Sequence, residues 1–153
     1  MAPLIFLLGT FLLLFAANRF LIGNRLSISF IGRASMAVML LVTGVTHFTH
    51  TDWMVEMMPD FVPAKRELVY FTGVCELLAV IGLLWDRFSR LTSIMLIIFF
   101  VAILPANIAE RLKAVNFDGL EFGSWYLLFR IPLQIFFIWW VYYFGIKRQK
   151  PAR

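Results

Sequence analysis

His47, His50, Glu76, Asn107, Arg130 and Gln134 are the side chains that could do chemistry, and each stands within or at the edge of a long apolar run. An ionised group deep in hydrocarbon costs roughly 2.5–3.5 kcal/mol even on lenient insertion scales, so such a group faces protein and has a partner. Arg130 and Gln134 are four residues apart, as are Thr72 and Glu76, which puts each pair on one helix face. This spacing leads us to expect an Arg130–Glu76 pair, with Gln134 and Asn107 completing a hydrogen-bonded cluster. Such a cluster could lock helices together, hold a polar headgroup, or pass a proton or ion. Pro105 and Pro132 each remove a backbone N–H and free a carbonyl, of Val101 and Leu128, which is tolerated at membrane depth where protein or a wet cavity supplies a partner. His47 and His50, three apart, could meet a metal. Two imidazoles without a third firm ligand are a weaker pattern than HExxH, and edge histidines that bond loops are the favoured reading. No bound metal or haem is expected, and no residue is singled out as catalytic.

The elements that must position these groups follow from composition. Of 153 residues, 61% are hydrophobic and 15% charged, where a soluble domain carries about 25%. With 17 Phe and 5 Trp there is too little polar surface for a water-soluble enzyme domain, and too much apolar mass for a disordered chain. A bilayer crossing needs about 20 apolar residues. Ala2–Ile22, Ala34–His50, Leu68–Trp85, Leu91–Ile108 and Ser124–Gly145 qualify, and within them the only charges are Arg19, Glu76 and Arg130. Backbone groups in hydrocarbon must pair within each segment, which selects helices, and runs such as Leu91–Leu104 lack the alternation of barrel strands. The first run has no Lys or Arg ahead of it, and Phe15-Ala16-Ala17-Asn18 is a poor cleavage site, so it is read as a retained helix. The expected fold is therefore an all-α integral membrane protein of five spans. Residues 1–22 form an extra N-terminal transmembrane helix, 33–146 a four-helix bundle, and 147–153 a basic tail.

Arg19, Arg25, Arg33, Arg87, Arg90, Lys147, Arg148, Lys150 and Arg153 fall on one face, against Lys65, Arg66, Arg111 and Lys113 on the other. The positive-inside rule then puts the C-terminus in the cytoplasm and the N-terminus outside, in what reads as a bacterial inner membrane. It also accounts for the basic balance without nucleic acid. Counted at 1.5 Å per residue, Glu76 lies about 13 Å, Arg130 about 9 Å and Gln134 about 15 Å below the outer surface. All six polar positions fall in that outer half, and the inner half is expected to hold almost nothing polar. Between 51 and 67, Trp53, Met54, Met57, Met58 and Phe61 recur at helical spacing opposite Asp52, Glu56 and Asp60, which predicts a short interfacial helix ended by Pro59 and Pro63. A single cysteine, Cys75, excludes an internal disulfide relay. Thr43, Gly44 and Gly73 are small residues suited to close helix contact.

Gly44-Val45-Thr46-His47-Phe48, Met58-Pro59 with Pro63, Leu68 through Leu77, Ile81-Gly82-Leu83-Leu84, Pro105-Ala106-Asn107-Ile108 and Arg130-Ile131-Pro132-Leu133-Gln134 occur in the order seen in the DoxX-like family of small membrane proteins. The chain resembles that family over about residues 33–146. The resemblance implies a four-helix bundle. The family takes its name from a subunit of an archaeal thiosulfate:quinone oxidoreductase. Other members look like accessory subunits of redox complexes, and a vertebrate branch resembles assembly chaperones for receptor channels. This chain departs from the pattern by its extra first helix and by lacking paired cysteines. The leading expectation is an accessory subunit whose outer-half pocket binds a quinone or lipid headgroup. Arg130 and Gln134 would donate to its oxygen, Glu76 would orient Arg130 or move a proton, and His47 and His50 would guard the entrance. Nothing in the chain stores electrons, so a redox role needs the ligand or a partner membrane protein. The alternative is a non-enzymatic scaffold or assembly chaperone, or a homo-oligomer, docking through the Met-rich loop or helix 1–22. A transporter is disfavoured by the apolar inner half.

Overall fold

A computed structural model describes residues 2–21, 23–58, 62–117 and 123–148, with side chains described at all of these except 57, 106–117 and 123–130. The described residues are helical, with no strand among them. The helices are α1 (Ala2–Phe20), α2 (Ile28–Thr49), α3 (Thr51–Met57), α4 (Lys65–Leu84), α5 (Asp86–Phe117) and α6 (Gly123–Tyr142), and α6 runs on into a π-helical turn over Tyr143–Lys147. Ala2–Phe20, Ile28–Thr49, Lys65–Leu84 and Asp86–Pro105 are long and apolar enough to cross a membrane. The fifth expected span falls in α6, whose described apolar part, Ile131–Lys147, is shorter.

α2 is the central helix. It packs on α1 and α4, while α5 packs on α4 and α6, and the π-helical turn returns to α2. Over its most apolar stretch α2 is 61% buried, against 11% for α1, whose Ile5, Leu12 and Leu13 are left facing outward as lipid-facing residues do. The core gathers Met36, Met39 and Leu40 of α2, Leu83 of α4, Leu96 and Phe100 of α5, and Phe137, Trp140 and Phe144. α1 joins it through Leu7, which is fully buried, and through Phe11, whose ring lies 5.1 Å from that of Trp140 and 5.6 Å from that of Phe144.

Several boundaries differ from the expected ones. α2 starts at Ile28, where Ser27 in extended backbone accepts a hydrogen bond from the Phe30 N–H and caps the helix. The turn before it uses left-handed backbone at Gly23 and Asn24 (φ 68° and 61°), residue types that tolerate it. Asn18 closes that turn by bonding both the N–H and the carbonyl of Leu26. Arg33 is thus not a loop residue at the membrane edge but a buried member of the second turn of α2. The expected interfacial helix is shorter than its pattern: α3 ends at Met57, because Met58 is already extended (ψ 142°) ahead of Pro59. Pro59, Asp60 and Phe61 lie outside the described residues. α5 continues through Pro105 to Phe117, so Asn107 lies within the helix and does not close it.

The apolar character expected of the inner half is also corrected. Asn18, Ser29, Arg33, Ser35, Ser89 and Ser93 are all buried there. The serines mostly bond backbone carbonyls, Ser35 to Ile31, Ser93 to Ser89, and Ser29 to Phe144 across the bundle at 2.5 Å. Trp140 donates its indole N–H to the Gly32 carbonyl at 3.0 Å. A crevice lined by Gly32, Arg33, Met36, Leu83, Ser93, Trp140 and Phe144 is too narrow to admit water. A Cβ on Gly32 would overlap the Phe144 ring, which its neighbours hold in place. Gly32→Ala is therefore expected to cost about 1–3 kcal/mol, the usual range for overpacking, read as a lowered melting temperature of the detergent-purified protein.

Candidate functional site

The polar site is built between α2 and α4. Thr43 and His47 are one turn apart on α2, and Thr72 and Glu76 are one turn apart on α4, so the two helices each present a polar pair where they face one another. Close approach is secured by Gly44, which meets Leu77 and the Cβ of Glu76, and by Gly73, which meets His47 and Phe48. Glu76 is only 7% exposed. Its Oε2 accepts a hydrogen bond from the Thr43 hydroxyl at 2.6 Å, and its Oε1 faces His47 Nε2 at 3.6 Å. The second separation is within ion-pair range but longer than a hydrogen bond.

The other edge of the imidazole fixes its tautomer. His47 Nδ1 lies 3.0 Å from the Val69 carbonyl, which can only accept, so Nδ1 carries the N–H. The Thr72 hydroxyl donates to the Leu68 and Val69 carbonyls and sits 3.2 Å from the same nitrogen. His47 Nε2 is then a lone pair in the neutral ring and a second N–H in the imidazolium.

The remaining expected positions are placed as follows. Gln134 of α6 is buried, and its amide N–H donates to the Phe100 carbonyl at 2.6 Å, tying α6 to α5. His50 is exposed at the end of α2, where its Nδ1 lies 2.8 Å from the Thr49 hydroxyl. Asn107 sits in α5 and Arg130 in α6, but both side chains lie outside the described residues, and with them the expected Arg130–Glu76 pair. No group of three or more His, Cys, Asp or Glu that could hold a metal occurs among the described residues. Sequence reasoning missed Thr43, and it gave His47 to the entrance and not to the Glu76 carboxyl. Their spacing of four residues, matching that of Thr72 and Glu76, was the available signal.

A second polar cluster lies at the opposite end. Arg33 is 5% exposed and donates to the Leu83 carbonyl at 3.2 Å and to Asp86 at 2.6 Å. It thereby serves a terminal carbonyl of α4 and pairs with the acid that opens α5 across a turn of one residue, Trp85. Its Nε is buried with no hydrogen-bond partner among the described residues.

These features define a small all-helical bundle with four helices apolar enough to cross a membrane and a buried carboxylate–imidazole pair between two of them. Residues 36–145 match the family model of a domain of unknown function, DUF8561, and the chain belongs to that family. The match runs from within α2 into the π-helical turn and leaves out α1. Comparison with curated proteins and with solved structures gives no match.

Proposed function

We propose that this chain is an integral membrane protein of DoxX-like type that holds a quinone or lipid headgroup in the outer half of its bundle, as an accessory subunit of a membrane redox system. The observation that carries this reading is the Glu76–His47 juxtaposition at 3.6 Å, buried between two membrane-length helices. Paired ionisable groups at such depth are costly and mark binding or proton sites more often than packing. The residues suit the ligand. A carbonyl oxygen could accept from the imidazolium Nε2–H, and a hydroxyl could donate to Glu76 Oε1. Asn107, Arg130 and Gln134 lie on α5 and α6, the helices that would complete the wall. A quinone, when bound, would supply the electron-carrying chemistry, and these residues would orient it and exchange protons.

The second reading, a scaffold or assembly chaperone, is favoured by a different observation: both nitrogens of His47 and both oxygens of Glu76 already face protein groups. In that case the cluster only locks α2 to α4. Mass spectrometry of the organic extract of mildly purified protein separates the two. A quinone or defined lipid near one per chain, absent from folded Glu76→Gln protein, is the expected result. Extracts that are identical for the two proteins would reject the pocket and leave the scaffold.

A further inference from the structure

The end of the bundle that holds Arg33 carries more positive charge than its partners absorb. Arg87 and Arg90 open α5, Lys147 and Arg148 close the π-helical turn, and all four are exposed. Among the described residues Asp86 is the one carboxylate at this end, and it is engaged by Arg33. The register of α5 on α6 brings the cations to one level of the bundle. The rings of Phe100 and Phe137 are 6.2 Å apart, and Gly145 is pressed against the Ser93 side chain. The two helices therefore run antiparallel, and one turn further out Arg90 reaches the level of Arg148. Lys147 and Arg148 both lie over the Tyr143 ring, at 5.8 and 5.1 Å, which gathers them on one side of the turn. Four exposed cations at one end of the bundle, where the one described carboxylate is already paired, favour an anion beside them.

The surrounding aromatics identify where that anion comes from. Trp85 and Phe88 form an exposed edge-to-face pair at the α4–α5 turn, and Trp139 stacks on Tyr143 beside exposed Tyr142. Exposed Trp and Tyr at the ends of apolar helices mark the headgroup level of a bilayer. We infer that Arg87, Arg90, Lys147 and Arg148 form a binding surface for the phosphate of an anionic phospholipid, with its acyl chains running down the apolar outer faces of α5 and α6.

The test uses full-length protein stripped of lipid in a neutral detergent. Phosphatidylglycerol and phosphatidylcholine of equal chain length are titrated separately, with bound lipid counted by native mass spectrometry, and inorganic phosphate is tested alone. Phosphatidylglycerol is expected to bind in preference to phosphatidylcholine. Arg90→Gln and Arg148→Gln are each expected to weaken it about fivefold, the effect of one cation near an anionic surface. Arg66→Gln, at the other end, should leave it unchanged and also shows that charge loss alone does not unfold the protein. Equal binding of the two lipids, retention of the preference in the Arg90→Gln/Arg148→Gln variant, or equal protection by inorganic phosphate would each overturn the assignment.

Discussion

Replacing His47 with leucine is expected to destabilise the bundle more than replacing Glu76 with leucine, and replacing both is expected to restore most of the loss. The asymmetry comes from what each change leaves behind. Without His47, the buried carboxyl of Glu76 keeps, among the described residues, only the Thr43 hydroxyl. That puts the cost at about 3 kcal/mol, the low end for removing one partner of a buried pair. Without Glu76, the imidazole remains neutral and still donates to Val69, while Thr43 can fall back on the Leu40 carbonyl at 3.3 Å. The cost there is about 1 kcal/mol, that of one lost hydrogen bond. In the doubly substituted protein neither member of the pair is left, so a coupling of roughly 3 kcal/mol, leaving a net loss of about 1 kcal/mol, is expected from the four melting curves. Additive losses would mean that the pair does not interact. The result also bears on function: a double variant as stable as the parent, but empty of ligand, would show that the pair is kept for binding and not for packing.

At the other end, Asp86→Ala is expected to cost about 2 kcal/mol, less than the 3–5 kcal/mol for breaking a fully buried pair, because the Asp86 side chain is 81% exposed and water takes over part of its role. The guanidinium it leaves is 95% hidden and, among the described residues, keeps only the Leu83 carbonyl as an acceptor, its Nε having none there. Arg33→Met removes the buried charge along with its needs, and methionine fills much of the same space. That change should fall within about 1 kcal/mol of neutral, and combined with Asp86→Ala it should rescue it. Thermal unfolding in detergent at fixed pH and salt checks the order. If Arg33→Met proved the more damaging, Arg33 would be acting by its packing and by its hold on the end of α4, not by charge.

The helices were legible because hydrocarbon thickness sets a length that few soluble sequences imitate, and Glu76 was legible because a carboxylate in an apolar run must answer to something. Its partner was harder to read. Depth counted along each helix says nothing about rotation around it, so His47 could not be assigned to Glu76 until α2 was seen facing α4 through Gly44 and Gly73, while the Arg130 side chain lies outside the described residues. Thr43 was read only as a small residue, although a hydroxyl one turn from a histidine is also a donor aimed at the same neighbour. Arg33 was misplaced because charge was used to end the span. The capping serine at Ser27 sets the helix start six residues earlier than the expected Ala34, and so puts Arg33 inside it. The short α3 was legible up to its stop: apolar spacing continues past Met57, but backbone before Pro59 does not stay helical.

The seat of α1 has a consequence for biosynthesis. Phe11 is held between Trp140 and Phe144, so the first helix finds its aromatic socket only in the last one. Contacts so distant along the chain close late, after the intervening loops have been fixed. Until α6 has entered, α1 has α2 to lean on and an open flank. Before α6 is in place, Trp140 has yet to reach the Gly32 carbonyl and Phe11 has yet to meet its two rings, so the seating of α1 and that of α6 are one event.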